Sequence, residues 1–406
     1  MSVVIIGTLD TKAEEIGFAR DVLEAQGVDV HVVDAGVMGE PGFEPETTAS
    51  EVADAAGTTL EHLREEADRG EAIEAMGDGA AEVAQRLHDE GVLDGVLGLG
   101  GSGNTSIATA AMRALPVGVP KVMVSTMASG DTEPYVGSRD VTMMYSVADI
   151  EGLNQLSRRI ISNAALAMVG MVSNDPDVDV EERPTIAMTM FGVTTPCVQA
   201  ARERLEDMGY EAIVFHATGT GGRAMESLVE EGVVDGVLDV TTTEWADELV
   251  GGVLSAGPDR LEAAGDEGIP QVVSTGALDM VNFGPRDSVP EEFEGRQFHV
   301  HNPQVTLMRT TPEENAELGE IISEKLNDAT GPTALVLPLE GVSAIDVEGE
   351  DFYDPEADAA LFDALRSSLE DDVELLEMET DINDEAFAAK LAETLDGYMR
   401  EAGRAP

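Results

Sequence analysis

Cysteine occurs once in 406 residues, tryptophan once and lysine four times. The single Cys197 excludes an intrachain disulfide framework and any metal cluster built from several cysteines. No stretch approaches the roughly 20 apolar residues that span a bilayer. The opening MSVVIIGTLD is too short for a secretory leader and ends in turn residues. The expectation is a soluble, cytoplasmic protein with no membrane contact. Basic residues are scarce, 23 Lys and Arg against 81 Asp and Glu, for a formal net charge of −58. Binding to a phosphate backbone needs basic patches, so nucleic acid is excluded as a partner. Disorder is excluded too, because 43% of the residues are hydrophobic and periodically placed. Acid on every surface segment, with almost no lysine, reads as the adaptation of a halophile, whose salt screens self-repulsion. On that reading the charge says nothing about substrate.

The length fits two domains of roughly 150–220 residues each, and the chain repeats itself. SVVIIGTLDTKAEEIGFARDVLEAQG is matched by PTIAMTMFGVTTPCVQAARERLEDMG, EGVLDGVLGLG by EGVVDGVLDVT, and VPKVMVST by IPQVVST, in one order. Continuous Val/Ile/Leu strands alternating with helices mean parallel sheets covered on both faces. The fold class is therefore α/β: two Rossmann-like doubly wound parallel-sheet domains related by an internal duplication, at 1–180 and 181–406. The linker is expected near 173–185. The first half carries an insertion, MGEPGFEPETTASEVADAAGTTLEHLREEADRG, of a length that in compact domains is usually functional.

In such sheets ligands bind beyond the carboxyl ends of the strands. The first such loop holds Gly7, Thr8, Asp10, Thr11 and Lys12. It offers hydroxyls, a carboxylate and a scarce lysine to a phosphate, or else is an ordinary capped turn. The second, GLGGSGNTS, places Gly98, Gly100, Gly101, Ser102, Gly103 and Asn104 before a helix, where backbone N–H groups can cradle an anion. No Gly-Lys-Ser/Thr follows, so it is not a Walker A loop; the alternative is a packing turn. A cradle here is expected to need glycine for positive φ or close approach. The third, STMASGD, supplies Asp131 as a catalytic carboxylate or a water-mediated Mg²⁺ ligand. Arg69 either clamps phosphate or pairs with acidic neighbours. Asp34, ending the second strand, is the ribose candidate by Rossmann analogy.

In the second half HATGTGG, with His216 beside it, is another anion-capable loop, and TTTEW replaces GGSGN. His299 and His301 lie two apart, on one face if extended, and are catalytic candidates. They could hold Zn²⁺ or Fe²⁺, although no third ligand is identified. Cys197, before a helix, has either a lowered pKa or a plain packing role. Ser343 and Asp346 follow a late strand, with no Gly-x-Ser-x-Gly elbow.

Taken in order, GTLDTK, DRGEAIEAM, GLGGSGNTS, STMASGD, HATGTGG, HNPQVTLMRT and LPLEGVSAID resemble one family along nearly the whole chain. It is the family of the ATP-binding N-terminal region of the tomato mosaic virus resistance protein. The resemblance implies ATP in the first domain, contacts from Thr8–Lys12 and Gly101–Asn104, Arg69 near the phosphates, and a homodimer. The plant protein continues into a barrel-like domain beyond the region of resemblance, so a separately encoded barrel partner is one expectation. The leading expectation is an ATP-binding protein, an enzyme or a nucleotide sensor, with its site between the domains and Mg²⁺ as a companion ion. The alternative is an enzyme acting on a phosphorylated or carboxylated metabolite without nucleotide.

Overall fold

The structure, a computed structural model, describes residues 1–66, 68–174 and 183–406. The chain divides into two compact units, Met1–Asp179 and Val180–Pro406. The expected boundary at 180/181, and most of the expected linker, lie outside the described residues.

The first unit runs β1 (Ser2–Gly7), α1 (Ala13–Glu24), β2 (Asp29–Asp34), α2 (Ala49–Ala55), α3 (Leu60–Glu66), α4 (Arg69–Asp89) and β3 (Gly95–Gly100). It continues through α5 (Ser102–Arg113), β4 (Lys121–Ser125), α6 (Glu133–Val136), β5 (Thr142–Tyr145) and α7 (Gln155–Ser173). Its sheet is parallel, in the order β2-β1-β3-β4-β5. The run VVII in β1 explains why. Val4 and Ile6 pack among residues of α2, α4 and α5, while Val3 and Ile5 pack against Ile16 of α1 and Ala164 of α7. Both faces of the strand are thus buried, as a continuous apolar run demands. The insertion forms α2, which starts on a capping box between Thr48 and Glu51, then α3 and the start of α4.

The second unit runs β6 (Thr185–Met190), α8 (Thr195–Met208), β7 (Glu211–His216), α9 (Thr220–Glu230), β8 (Gly236–Thr241), α10 (Glu244–Val250), α11 (Ala263–Asp266) and β9 (Gln271–Gly276). Then come β10 (Met280–Phe283), β11 (Phe298–Asn302), β12 (Val305–Arg309), α12 (Pro312–Asn327), β13 (Thr333–Pro338), α13 (Pro355–Ser368), β14 (Glu374–Met378) and α14 (Glu385–Glu401). The parallel sheet has the order β14-β13-β9-β8-β6-β7. Read from its β7 edge, β7-β6-β8-β9 repeats β2-β1-β3-β4, so the sequence repeat is a repeat of topology. Both units are Rossmann-like. The small antiparallel sheet β10-β12-β11, inserted after β9, has no counterpart among the described residues of the first unit. The terminal helix α14 packs on α8, within its own unit. Among the described residues no helix is long and apolar enough to cross a membrane.

Candidate functional site

The carboxyl ends of the first sheet open on a cavity of about 760 Å³. Thr8, Asp10, Thr11 and Lys12 reach it from the β1–α1 turn, and Gly101, Ser102, Gly103 and Asn104 from the start of α5. Arg69, Ala72 and Ile73 come from α4; Ala35, Val37, Met38 and Leu63 follow β2; Thr126, Met127 and Asp149 follow β4 and β5. The sequence-derived loops therefore meet in one place.

Helix α5 begins without a side-chain cap and without an acid in its first turn. Its first intrahelical bond is Thr105 N–H to the Gly101 carbonyl at 2.9 Å. The amides ahead of that bond have no helical acceptor and carry the positive end of the helix dipole. Lys12 and Arg69 line the same cavity, and neither forms an ion pair among the described residues. One Arg69 guanidinium nitrogen lies 3.7 Å from where a Cβ on Gly103 would stand, so this cation faces the α5 turn. By contrast Lys121 is buried and bound to Asp140 at 2.8 Å.

Asn104 fastens this turn to the sheet. Its amide nitrogen donates to the carbonyls of Leu99 at 2.8 Å and Ile6 at 3.4 Å, wedged between β3 and β1. Gly100 makes room for the wedge, since a Cβ there would lie 2.7 Å from the Asn104 Cβ. The amide oxygen of Asn104, buried, has no partner.

Several expectations are corrected. Asp34 does not line the cavity. It is buried, and its Oδ1 accepts the N–H groups of Leu9 and Gly36, both at 2.9 Å, so it shapes the loops. Its burial raises its pKa, and the two N–H groups act the other way. Gly100 is likewise buried beneath the cavity. Gly101 has φ −83°, and neither it nor Gly103 is among the glycines with positive φ, so backbone conformation does not demand glycine there. Asp10 lines the cavity, but its Oδ2 accepts Met38 and Gly39 N–H at 3.0 and 3.2 Å and so anchors the loop after β2. Asp131 is exposed outside the cavity and accepts the Glu133 N–H at 3.1 Å.

In the second unit HATGTGG is already filled. Gly219 and Gly222 N–H donate to Oε1 of Glu244 at 2.7 and 3.1 Å, and Arg260 Nε binds Oε2 at 2.8 Å. Arg260, itself buried, also binds the buried Asp239 and the partly buried Glu226. Burial alone would lower its pKa, but the three carboxylates raise it well above the ordinary value. The glycine loop thus cradles the chain's own carboxylate.

His299 and His301 lie on β11 with ring centres 6.4 Å apart, and His299 Nδ1 meets Asp351 at 2.7 Å. Among the described residues no three His, Cys, Asp or Glu side chains are grouped to hold a metal, so the Mg²⁺ and Zn²⁺ expectations find no assembled ligand set. Cys197 is packed away and burial pushes its thiol up to about 12, the opposite of an activated nucleophile. Ser343 and Asp346 are buried as well. The serine donates to Asp279 at 2.8 Å and Arg309 binds Asp346 at 3.0 Å, in a network closed to solvent.

Sequence reasoning missed Asp149, which arrives from a segment with no motif, and did not single out Leu63 within the insertion or Ile73 within DRGEAIEAM. A hydrophobic residue in the inserted α3 was the one signal that the insertion covers the cavity.

A protein of Clostridium tetani is 56% identical over 400 residues, covering 98% of this chain and 99% of that one. The tomato mosaic virus resistance protein Tm-1(GCR237) of Solanum lycopersicum is 48% identical over 333 residues. That match covers 80% of this chain and 44% of the tomato protein. Among solved structures, UDP-N-acetylglucosamine 2-epimerase from Rickettsia bellii covers 100% of the chain at 10% identity, with a TM-score of 0.23, on which no argument rests. Residues 1–177 match the N-terminal domain and residues 183–399 the C-terminal domain of one family, and the chain belongs to it: the Uncharacterised protein family (UPF0261).

Proposed function

We propose that the first unit binds ATP, its polyphosphate lying on the N-terminus of α5 between Lys12 and Arg69. The observation that carries this reading is the uncapped start of α5, open to a cavity also lined by two cations that form no ion pair among the described residues. Backbone N–H groups at a helix start, joined by Lys and Arg, are a ready anion seat. The aliphatic side of the cavity, with Val37, Met38, Leu63 and Ile73, suits a flat base. A volume of about 760 Å³ is in the range of small-molecule sites.

The chain carries a net charge of −58, so a polyanion is repelled at long range. Molar salt shortens that repulsion to a few ångströms while leaving contact hydrogen bonds in place. ATP binding and a halophile's cytoplasm are therefore compatible parts of one proposal. A metabolite held by HATGTGG and the His299/His301 segment has less support, because Glu244 already occupies the glycine loop.

Isothermal titration with ATP, ADP and NAD at molar potassium chloride tests the reading. Binding of ATP that weakens on Lys12→Ala and Arg69→Ala is the expected result. A folded protein that takes up no nucleotide refutes it.

A further inference from the structure

We propose that the β5 side of this cavity is a subsite for a phosphoryl acceptor, and that Asp149 takes the proton of the attacking hydroxyl. The inference rests on the nucleotide reading above.

The strand order lays the cavity out in a line. Ala35, Val37 and Met38 follow β2 at one edge of the sheet, Lys12 and the α5 turn follow β1 and β3 in the middle, and Asp149 follows β5 at the far edge. With strands about 4.8 Å apart, the tips of β2 and β5 each lie about 10 Å from the tip of β3, on opposite sides. A nucleotide with its base against the aliphatic edge and its phosphates on α5 directs its terminal phosphate toward β4 and β5. Thr126 marks that direction: its hydroxyl is the nearest atom, at 3.9 Å, to a Cβ built on Gly101.

Three carboxylates line the cavity, and each has one oxygen engaged and one without a partner among the described residues. Asp10 holds two backbone N–H groups of the loop after β2, and Asp68 holds Gly70 and Glu71 N–H at the start of α4. Asp149 accepts only the adjacent Ile150 N–H, through Oδ1, and its Oδ2 has no partner among the described residues. Of the three it is the one that follows β5, on the side toward which the terminal phosphate points.

The backbone leading to it is strained. Ala148 N–H closes on the Ser146 carbonyl at 2.7 Å, and Val147 between them sits at φ 64°. A β-branched residue rarely adopts that conformation, and Val147 is 58% exposed, so core packing does not impose it. Strain of this kind collects where a ligand group must be aimed.

In the step, the acceptor oxygen forms a bond to the γ-phosphorus as the bond from that phosphorus to the β–γ bridging oxygen breaks. The leaving diphosphate keeps the electron pair, and Asp149 takes the acceptor's proton. With water as acceptor the products are ADP, inorganic phosphate and a proton. The α5 amides, Lys12 and Arg69 face the charge spread over the transferring group, which is where phosphoryl transfer needs stabilisation.

The test uses the full-length protein with ATP, magnesium and water as the acceptor, reading ADP formation and, separately, the Kd for ATP. Asp149→Asn should lower kcat by about 100-fold or more, the usual span for a general base, with the Kd for ATP moved by less than about twofold. Asp131→Asn, an exposed change outside the cavity, should leave both readings unchanged. Equal hydrolysis by wild type and Asp149→Asn overturns the assignment. Wild-type protein that binds ATP and forms no ADP overturns the subsite while the nucleotide reading stands. Failure to bind ATP at all overturns both.

Discussion

Glu244 and Gly222 meet so closely that no side chain fits between them: a Cβ on Gly222 would stand 2.2 Å from Oε2 of Glu244. The carboxylate cannot yield, because Gly219 N–H and Arg260 hold it from other directions. This relationship explains the glycines of HATGTGG as partners of an internal anion. Gly222→Ala should therefore destabilise the second unit by about 1–3 kcal/mol, the usual cost of overpacking. Thermal unfolding would show it as a lowered Tm, with ATP affinity in the first unit unchanged. An unshifted Tm would mean that the carboxylate moves freely.

Arg260 joins Asp239, Glu226 and Glu244 in one buried cluster. Arg260→Met would leave three carboxylates together without a cation, and breaking such a group costs about 3–5 kcal/mol at neutral pH. Acid should partly restore the variant, because protonation removes the repulsion that the arginine had neutralised. Urea unfolding at neutral and mildly acidic pH separates the outcomes. A variant as stable as wild type at neutral pH would show that the cluster contributes nothing.

Asp247 is fully buried with no ion pair among the described residues, and burial pushes its pKa up to about 7, against the hydrogen bonds it accepts from Asn282 and Leu254. A carboxyl whose folded pKa is raised binds its proton more tightly in the folded state. Its stabilising contribution is complete below the unfolded pKa, near 4, and is lost as pH rises through about 7. Asp279, Asp346 and Asp358 are shifted upward too, chiefly by burial, so they act in the same direction. Stability should fall as pH climbs from about 4 to 7, and Asp247→Asn should flatten part of that slope. Tm measured across this window at constant salt checks the sign; a Tm rising over the same range contradicts it.

The parallel sheets were legible because their strands are buried on both faces, which leaves unbroken Val/Ile/Leu runs such as VVII in β1. The antiparallel sheet β10-β12-β11 was not, because its pairing joins Met280–Phe283 to Val305–Arg309 across loops that carry no periodic signal. The cavity's loops were legible as glycine-rich turns at strand ends. What each side chain does there was not. Asp34 at the end of β2 looks the same in sequence whether it faces a ribose or the N–H groups of Leu9 and Gly36. TTTEW gave no sign that Glu244 bends back onto a loop 22 residues earlier, because that contact joins the starts of two helices, α9 and α10, that follow different strands.

The glycine loop of the first unit allows the most direct comparison between the two halves. Gly101 and Thr242 are each the first residue past a repeated strand, β3 and β8. Gly101 has φ −83°, and within 4 Å a Cβ on it would meet only the Thr126 hydroxyl, at 3.9 Å. Gly101→Val should therefore fold normally while placing a branched side chain where the cavity receives phosphate. ATP affinity should drop at least tenfold, about 1.4 kcal/mol, through lost space, since φ is not strained. Thr242 is fully buried and donates to the Ser274 carbonyl at 3.0 Å. Thr242→Val keeps the shape and leaves that carbonyl short of a donor, a cost of about 1–3 kcal/mol to the second unit, with no effect on ATP. Titration and thermal unfolding of both variants read the two effects separately. Unchanged ATP affinity in Gly101→Val would mean the loop is packing alone, and a loss of ATP affinity in Thr242→Val would mean the nucleotide depends on the second unit.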